Sequence, residues 1–317
     1  MSDDYTLGLH QVADDTYAWL QPDGGWGWSN AGLVASSDGS LLVDTLFDLH
    51  LTRAMLDGMR AVVPHARHID TVVNTHANGD HCYGNSLLTD EGAAVIASTA
   101  SAAEMDEVQP ATLAGLVQAG DTLGPGGAYA ARIFGPFDFN GIAPAHATQT
   151  FDGRLTLDVG TPVELVEVGP AHTRGDVVAH LPDRGVVFTG DIVFNGGHPI
   201  VWSDLPGWVR ACNAVIALDP AVVVPGHGPL TDLGAVRFLQ QYLRDVEGEA
   251  RKRYERGLSA VEAARELHAA MPERWQHLGE SERLVVNVAA AYRSFGAVDA
   301  ELGVLGLFDA MADLATA

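Results

Sequence analysis

The sequence predicts an α/β protein: a layered body over residues 1–230, followed by a helical extension over residues 231–317. Three observations lead there. Short apolar runs rich in β-branched residues, bounded by Gly and Pro, alternate with stretches of helical periodicity through the first part of the chain. Four of those runs lead, through small or polar residues, to a side chain that can bind a metal. Beyond His227 the strand-like runs stop and helical patterns take over.

Taken in order, residues 17–20, 31–35 and 41–43 read as strands of a meander, separated by turns at Gly24-Gly25 and Asp38-Gly39. Residues 49–62 carry apolar side chains at helical spacing, and residues 69–73 read as a buried strand. Residues 101–152 break the pattern. They hold a helical piece with Met105 and residues 113–117, a glycine-rich turn at 124–127, and the aromatic group Phe134, Phe137 and Phe139. A stretch this long inside a compact domain reads as a lid-like insertion. Strands return at 163–168, 177–181, 185–188 and 221–224. The extension reads as three helices, 233–248, 258–270 and 281–295, with Ser259 and Glu262 spaced as a capping box.

Composition narrows the function. Eighteen basic against 41 acidic residues give a net charge of −23, which repels nucleic-acid phosphates and anionic membranes. The densest basic stretch, Arg251-Lys252-Arg253, lies among glutamates on what reads as a solvated helix face. Neither nucleic acid nor membrane is therefore expected as a partner, and a small-molecule substrate is. With 47% hydrophobic and 19% charged residues the chain has the balance of a globular protein. Cys82 and Cys212 are too few for a disulfide framework, and the opening Met-Ser-Asp-Asp-Tyr-Thr has neither a basic nor an apolar leader region. A reducing, cytoplasmic setting is expected.

The chemistry concentrates in Thr75-His76-Ala77-Asn78-Gly79-Asp80-His81, directly after the strand at 69–73. Two imidazoles and a carboxylate within six residues can converge on a divalent ion, because imidazole nitrogen and carboxylate oxygen suit zinc and iron. The same design recurs three times downstream. The run at 163–168 leads to Gly169-Pro170-Ala171-His172, that at 186–188 to Thr189-Gly190-Asp191, and that at 222–224 to Pro225-Gly226-His227. Glycine at such ends permits tight turns and close backbone approach.

In order and spacing these motifs resemble the metallo-β-lactamase superfamily, whose H-x-H-x-D-H pattern is followed by a distant His, a bridging Asp and a final His. The resemblance covers roughly residues 15–230. It implies a four-layer αβ/βα sandwich with metals at one edge between two sheets, here with extra C-terminal helices. It implies a first metal at His76, Asn78 and His172, a second at Asp80, His81 and His227, and Asp191 between them. Asp44 resembles the family's early buried aspartate, which supports ligands without binding metal. Asn78 departs from the pattern: a neutral amide oxygen is a poorer zinc ligand than imidazole. One or two Zn2+ per chain therefore both stand open, with iron or manganese as alternatives.

The activity implied is hydrolysis by metal-activated water of an ester, lactone, thioester or amide bond in a small hydrophobic molecule, with Asp80 as proton shuttle. Two further readings stand beside it. One is mononuclear iron oxidoreduction, similar to the persulfide dioxygenase branch; the other is a lyase, cyclase or ligand-binding role in a biosynthetic pathway.

His198, in Asn195-Gly196-Gly197-His198-Pro199, is a candidate general acid facing the cleft, with simple loop packing as the alternative. Trp26, Trp28, Phe134, Phe137, Phe139 and Trp202 are candidate walls of an apolar substrate pocket. Their alternative is to cover the sheet or to form a contact between two copies of the chain, as in a homodimer. Tyr83 and Cys82 read as core groups.

Overall fold

A computed structural model describes residues 5–297 and 302–316. Residues 1–4 of the N-terminal stretch, and residues 298–301 and 317 of the extension, lie outside the described residues. The first sheet runs in chain order through β1 (Gly8–Ala13), β2 (Thr16–Leu20), β3 (Ala31–Ser36), β4 (Gly39–Val43), β5 (Thr71–Val73), β6 (Ala94–Ser98) and β7 (Gln149–Phe151). Strands β2 to β4 form the expected antiparallel meander, β1 adds to it an edge strand that was not expected, and β4 to β7 are parallel. The second sheet holds β8 (Arg154–Asp158), β9 (Pro162–Glu167), β10 (Val177–Leu181), β11 (Val186–Phe188) and β12 (Val222–Val224). There β8 to β11 are antiparallel and β11 pairs with β12 in parallel.

The helices are α1 (Leu49–Val62), α2 (Gly79–Cys82), α3 (Asn85–Thr89), α4 (Thr99–Glu104), α5 (Pro110–Ala119), α6 (Gly124–Phe134), α7 (Leu205–Ala217), α8 (Leu233–Glu255), α9 (Ala260–Ala269), α10 (Leu284–Ser294) and α11 (Val304–Ala315). Strand periodicity sorts the side chains into layers. Val34, Leu41, Val43 and Ile96 of the first sheet meet Leu165, Val177, Leu181 and Phe188 of the second in a buried interlayer. The alternate residues Leu33, Leu42 and Val95 face outward and are covered by Met55 and Met59 of α1. Val178, Val187 and Val223 on the opposite flank are covered by Trp208 of α7 and by α8 and α10. The result is the four-layer αβ/βα sandwich. No described helix is long and apolar enough to cross a membrane.

Three expectations are corrected. The glycine-rich turn at 124–127 is the first turn of α6. Pro125 fits a helix start, and Gly126 lets α11 press in: a Cβ there would collide with Asp309, whose carboxylate accepts the Gly126 amide at 2.7 Å. Tertiary contact overrides weak helix propensity here. The helix expected at 233–248 continues to Glu255, because Gly248 sits exposed and Glu249 pairs with Lys252 and Arg253 one turn on. The third extension helix opens as a tight turn over Ser281–Arg283 before α10 begins. The capping box at Ser259 and Glu262 is formed.

Candidate metal centre

Parallel pairing sets where the ligands fall. Val43 pairs with Val73 and Phe188 with Val224, so β4, β5, β11 and β12 end level at one edge of the sandwich. The next residues are Asp44 after β4, His76 after β5, Asp191 after β11 and His227 after β12. His172 follows β9, and Asp80 and His81 ride on the single turn of α2. The approach is tight enough that a Cβ on Gly226 would collide with Asp191 Oδ1.

Asp191 stands at the middle with one carboxylate oxygen turned each way. Its Oδ2 lies 3.4 Å from His172 Nε2 and 3.8 Å from His76 Nε2. Its Oδ1 lies 3.0 Å from His81 Nε2 and 3.5 Å from His227 Nε2. Asp80 Oδ2 adds contacts of 3.3 Å to His227 Nε2 and 3.9 Å to His81 Nε2. The other nitrogen of each ring is occupied. His172 Nδ1 donates to Ile200 O at 2.7 Å, His227 Nδ1 to Gly24 O at 3.2 Å, and His81 Nδ1 to Asp44 Oδ2 at 2.9 Å. His76 Nδ1 donates to Thr75 Oγ1 at 3.0 Å, which itself donates to Asp44 Oδ2 at 2.7 Å. In the neutral rings, donation from Nδ1 fixes the tautomer and points the Nε2 lone pairs toward one another.

Those converging atoms fit a divalent ion. His76 Nε2, His81 Nε2 and Asp191 Oδ1 are buried without hydrogen-bond partners, the 3.0 Å approach of the last two lacking hydrogen-bond alignment. Buried polar atoms are almost always paired, and a cation would satisfy all three at once. Within this cluster His76, His81 and Asp191, and separately Asp80, His81 and His227, bring their ligand atoms within 4.8 Å of one another.

The field in the site is strongly negative. Burial opposes charge on His81, yet Asp191, Asp80 and Asp44 outweigh it and lift the ring well above the ordinary imidazole value. Burial likewise opposes charge on His227, and Asp191 with Asp80 lifts it to about 9. On the other side burial prevails: it drives His76 well below the usual value and lowers His172. Burial disfavours the charged form of Asp191, but His227 and His81 hold the carboxyl well below the usual range. Asp44 is raised by burial against the pull of His81; it supports the ring and reaches no Nε2.

Asn78, implied by its position as a ligand of the first site, stands beside His172. Its Nδ2 lies 3.0 Å from His172 Nε2. Because His172 Nδ1 already donates to a carbonyl, Nε2 is the acceptor and the amide caps that lone pair.

A cavity of about 870 Å³ opens from these ligands. Asn78, Asp80, His172, Asp191 and His227 form its floor, and Trp26, Phe47, Leu113, Leu116, Phe134, Trp202 and Phe308 wall it. Of the six aromatic residues expected as walls of a substrate pocket, Trp26, Phe134 and Trp202 line this cavity. Trp28, Phe137 and Phe139 do not reach the cavity. Phe137 and Phe139 pack behind Phe47 at 4.8 and 4.9 Å between ring centroids, with Trp28 on Phe137 at 4.8 Å, so they buttress the wall. His198 is also corrected: it is fully buried away from the cleft, between Tyr242 and Trp275, with Nδ1 2.8 Å from the Tyr242 hydroxyl. Burial lowers it to about 3, so it is a neutral packing group and no general acid. Sequence reasoning missed Phe47, Phe194 and Arg283. Phe194 stacks on His227 with ring planes 2° apart, and Arg283 comes from the extension to line the cavity; neither carries a local motif.

The profile of the metallo-beta-lactamase superfamily matches residues 24–227. Human acyl-coenzyme A thioesterase MBLAC2 is 26% identical over 246 residues, which is 73% of this chain and 84% of that one. Among solved structures, a metallo-beta-lactamase from Pontibacter korlensis superposes with a TM-score of 0.56 at 20% identity, covering 75% of this chain and 99% of its own. The metallo-beta-lactamase FIM-1 from Pseudomonas aeruginosa, solved in its mono-zinc form, gives 0.55 at 22% identity over 76% and 97%. These last two likenesses are of fold. With its sandwich, its ligand edge and this match over most of the body, the chain belongs to the metallo-beta-lactamase superfamily.

Proposed function

We propose that the chain is a metal-dependent hydrolase acting on an ester or thioester whose acyl part is apolar and whose leaving group is not strongly anionic. The cavity carries this reading: its floor is the ligand cluster and its walls are aromatic and aliphatic. Val108, Leu123, Val304 and Leu305, which line it too, are exposed. Such a space accepts a hydrocarbon and repels a charged body.

Charge argues the leaving-group side. The net −23 disfavours an anionic substrate, and the cations lining the cavity are engaged: Arg174 with Glu104 and Glu107, Arg283 with Glu280. The thioesterase name of the human relative supports a thioester, while this charge distribution disfavours a coenzyme bearing several phosphates.

Asp80, His81, His227 and Asp191 would hold the more firmly bound ion, and His76, His172 and Asp191 a weaker one. A bound divalent ion supplies Lewis acidity and a nucleophile at neutral pH. Asp80 faces the cavity from the ligand cluster, with its side chain 13% exposed. There its carboxylate can accept the proton of the attacking water and return it to the departing oxygen or sulfur. Burial opposes its charge, but His81 and His227 keep it ionised below the ordinary carboxylate range. Trp26, Phe47 and Phe134 exclude bulk water from the acyl side.

The test is a series of p-nitrophenyl esters from acetyl to octanoyl, with matching thioesters of N-acetylcysteamine and of coenzyme A, using zinc-, manganese- and iron-loaded protein. We expect kcat/KM to rise with acyl length and to be higher for the neutral thiol than for coenzyme A. Absence of turnover of every ester and thioester with all three metals overturns the reading.

A further inference from the structure

Among the four histidines of the centre, His227 has the longest Nδ1 contact, 3.2 Å to Gly24 O, against 2.7 to 3.0 Å for the others. A long bond holds a ring plane loosely. Its second support is Phe194, whose ring lies parallel to it with centroids 5.0 Å apart. Both supports are gripped from the helical extension. Glu280 Oε1 accepts the amide of Trp26 at 3.0 Å, in the same loop as Gly24. Arg283 lays its guanidinium 4.4 Å from the Trp26 ring and 5.5 Å from the Phe194 ring. The two extension residues are themselves joined, Nη2 to Oε2 at 2.8 Å, and Arg283 Nη1 donates to His198 O at 2.9 Å. Backbone pairing closes the grip: His198 N donates to Gly279 O, and Gly279 N to Gly196 O, each at 2.9 Å.

An arginine at 1% exposure is costly to bury unless its donors and charge are answered. Hydrophobic packing alone would not call for one. Glu280 also sits at a φ of 60°, a left-handed conformation that a non-glycine residue holds only where its surroundings impose it. Both residues are therefore held for what they grip, and both lead to one ligand.

We propose that Arg283 and Glu280 are positioning residues for the metal ligand His227, acting through Phe194 and the Gly24–Trp26 loop, so that the helical extension is a working part of the centre. The ring plane of His227, and with it the direction of its Nε2 lone pair, is then set by residues more than fifty positions downstream.

The test compares full-length Glu280→Gln, Arg283→Lys, Arg283→Met and Phe194→Leu with the parent chain. The readouts are the zinc dissociation constant, the ligand-field absorption of the cobalt-loaded protein and the melting temperature of the metal-free protein. Glu280→Gln, Arg283→Met and Phe194→Leu should each weaken zinc binding about 10- to 100-fold and shift the cobalt bands, the range typical of groups that orient ligands. Arg283→Lys, which keeps the charge but not the planar fork, should recover part of both. If Arg283→Met does not fold, Glu280→Gln and Phe194→Leu decide the matter. Parent-like affinity and cobalt spectrum in those two variants overturn the proposal. So does weaker binding that only follows a lower melting temperature while the cobalt bands stay unchanged, because that is a purely structural role.

Discussion

The two sides of Asp191 are built from the same kinds of atoms and are not equivalent. On the His81 and His227 side, two carboxylates face two rings, and one of them, His81, is fixed by Asp44. On the His76 and His172 side, Asp191 supplies the facing carboxylate oxygen and the amide of Asn78 caps the His172 lone pair. The electrostatics follow: the first pair of rings is lifted by its carboxylates and the second is lowered by burial. On our proposal, sharing Asp191 would not give the two sides one affinity, because the density of negative charge around each pair differs.

The sharpest way to break that comparison is to delete one ring from each side. His81→Ala should weaken zinc binding by more than about a hundredfold, beyond what loss of a supporting group costs. His76→Ala should leave the tight constant within about tenfold. Equal losses in a chelator competition titration would show that the sides are not separate. Asp44→Ala leaves every ligand in place and removes the support of His81 and the Thr75 relay. It should cost about 10- to 100-fold in affinity at the tight side, measured in the same titration.

Proton linkage sharpens the contrast next. His227 in the metal-free protein keeps its proton up to about 9, and metal must displace it. Tight-side affinity should therefore fall about tenfold per pH unit as pH drops below about 9, and more steeply where His81 also yields a proton. The sign reverses for the metal-free fold. Pairing of raised histidines with carboxylates stabilises it fully below the unfolded imidazole value, and that contribution fades as pH rises through about 9. Calorimetry in buffers of different ionisation enthalpy reads the released protons, and a flat affinity between pH 6 and 9 would refute the assignment. The smallest effect concerns occupancy. Asn78→His removes the cap on His172 Nε2 and should raise zinc, counted by plasma mass spectrometry, from about one to about two ions per chain. No rise would mean that the amide is not what limits the weaker side.

The residues of the cluster were legible in the sequence because His76, His172, Asp191 and His227 are each marked twice, by a residue type that can bind metal and by an apolar strand shortly before it, while Asp80 and His81 fall in the same short motif as His76. Asp191 and His227 need no more than Thr189-Gly190 and Pro225-Gly226 to be placed at a strand end. Most strands were legible too, through β-branched runs such as Val177–Leu181. Strands β1, β6, β7 and β8 were not: β1, β7 and β8 are only slightly buried, and the buried β6 has just two β-branched residues among alanines and a serine. Helix α6 was hidden by glycines that serve contact with α11 and not local propensity. His198 misled for a related reason: seven residues from a ligand along the chain is not proximity in space once the loop turns toward α8. The hydrogen bond from Asn78 to His172, 94 residues apart, depends on which way an amide faces, and residue identity does not encode that.

Helix α11 has a consequence in time. Every ligand is encoded by residue 227, whereas Phe308, which finishes the cavity wall, is made 81 residues later. At 5 to 20 residues per second, that gap lasts roughly 4 to 16 s on a ribosome. In that interval the nascent chain carries the side chains of the ligand cluster without the helix that completes the cavity wall.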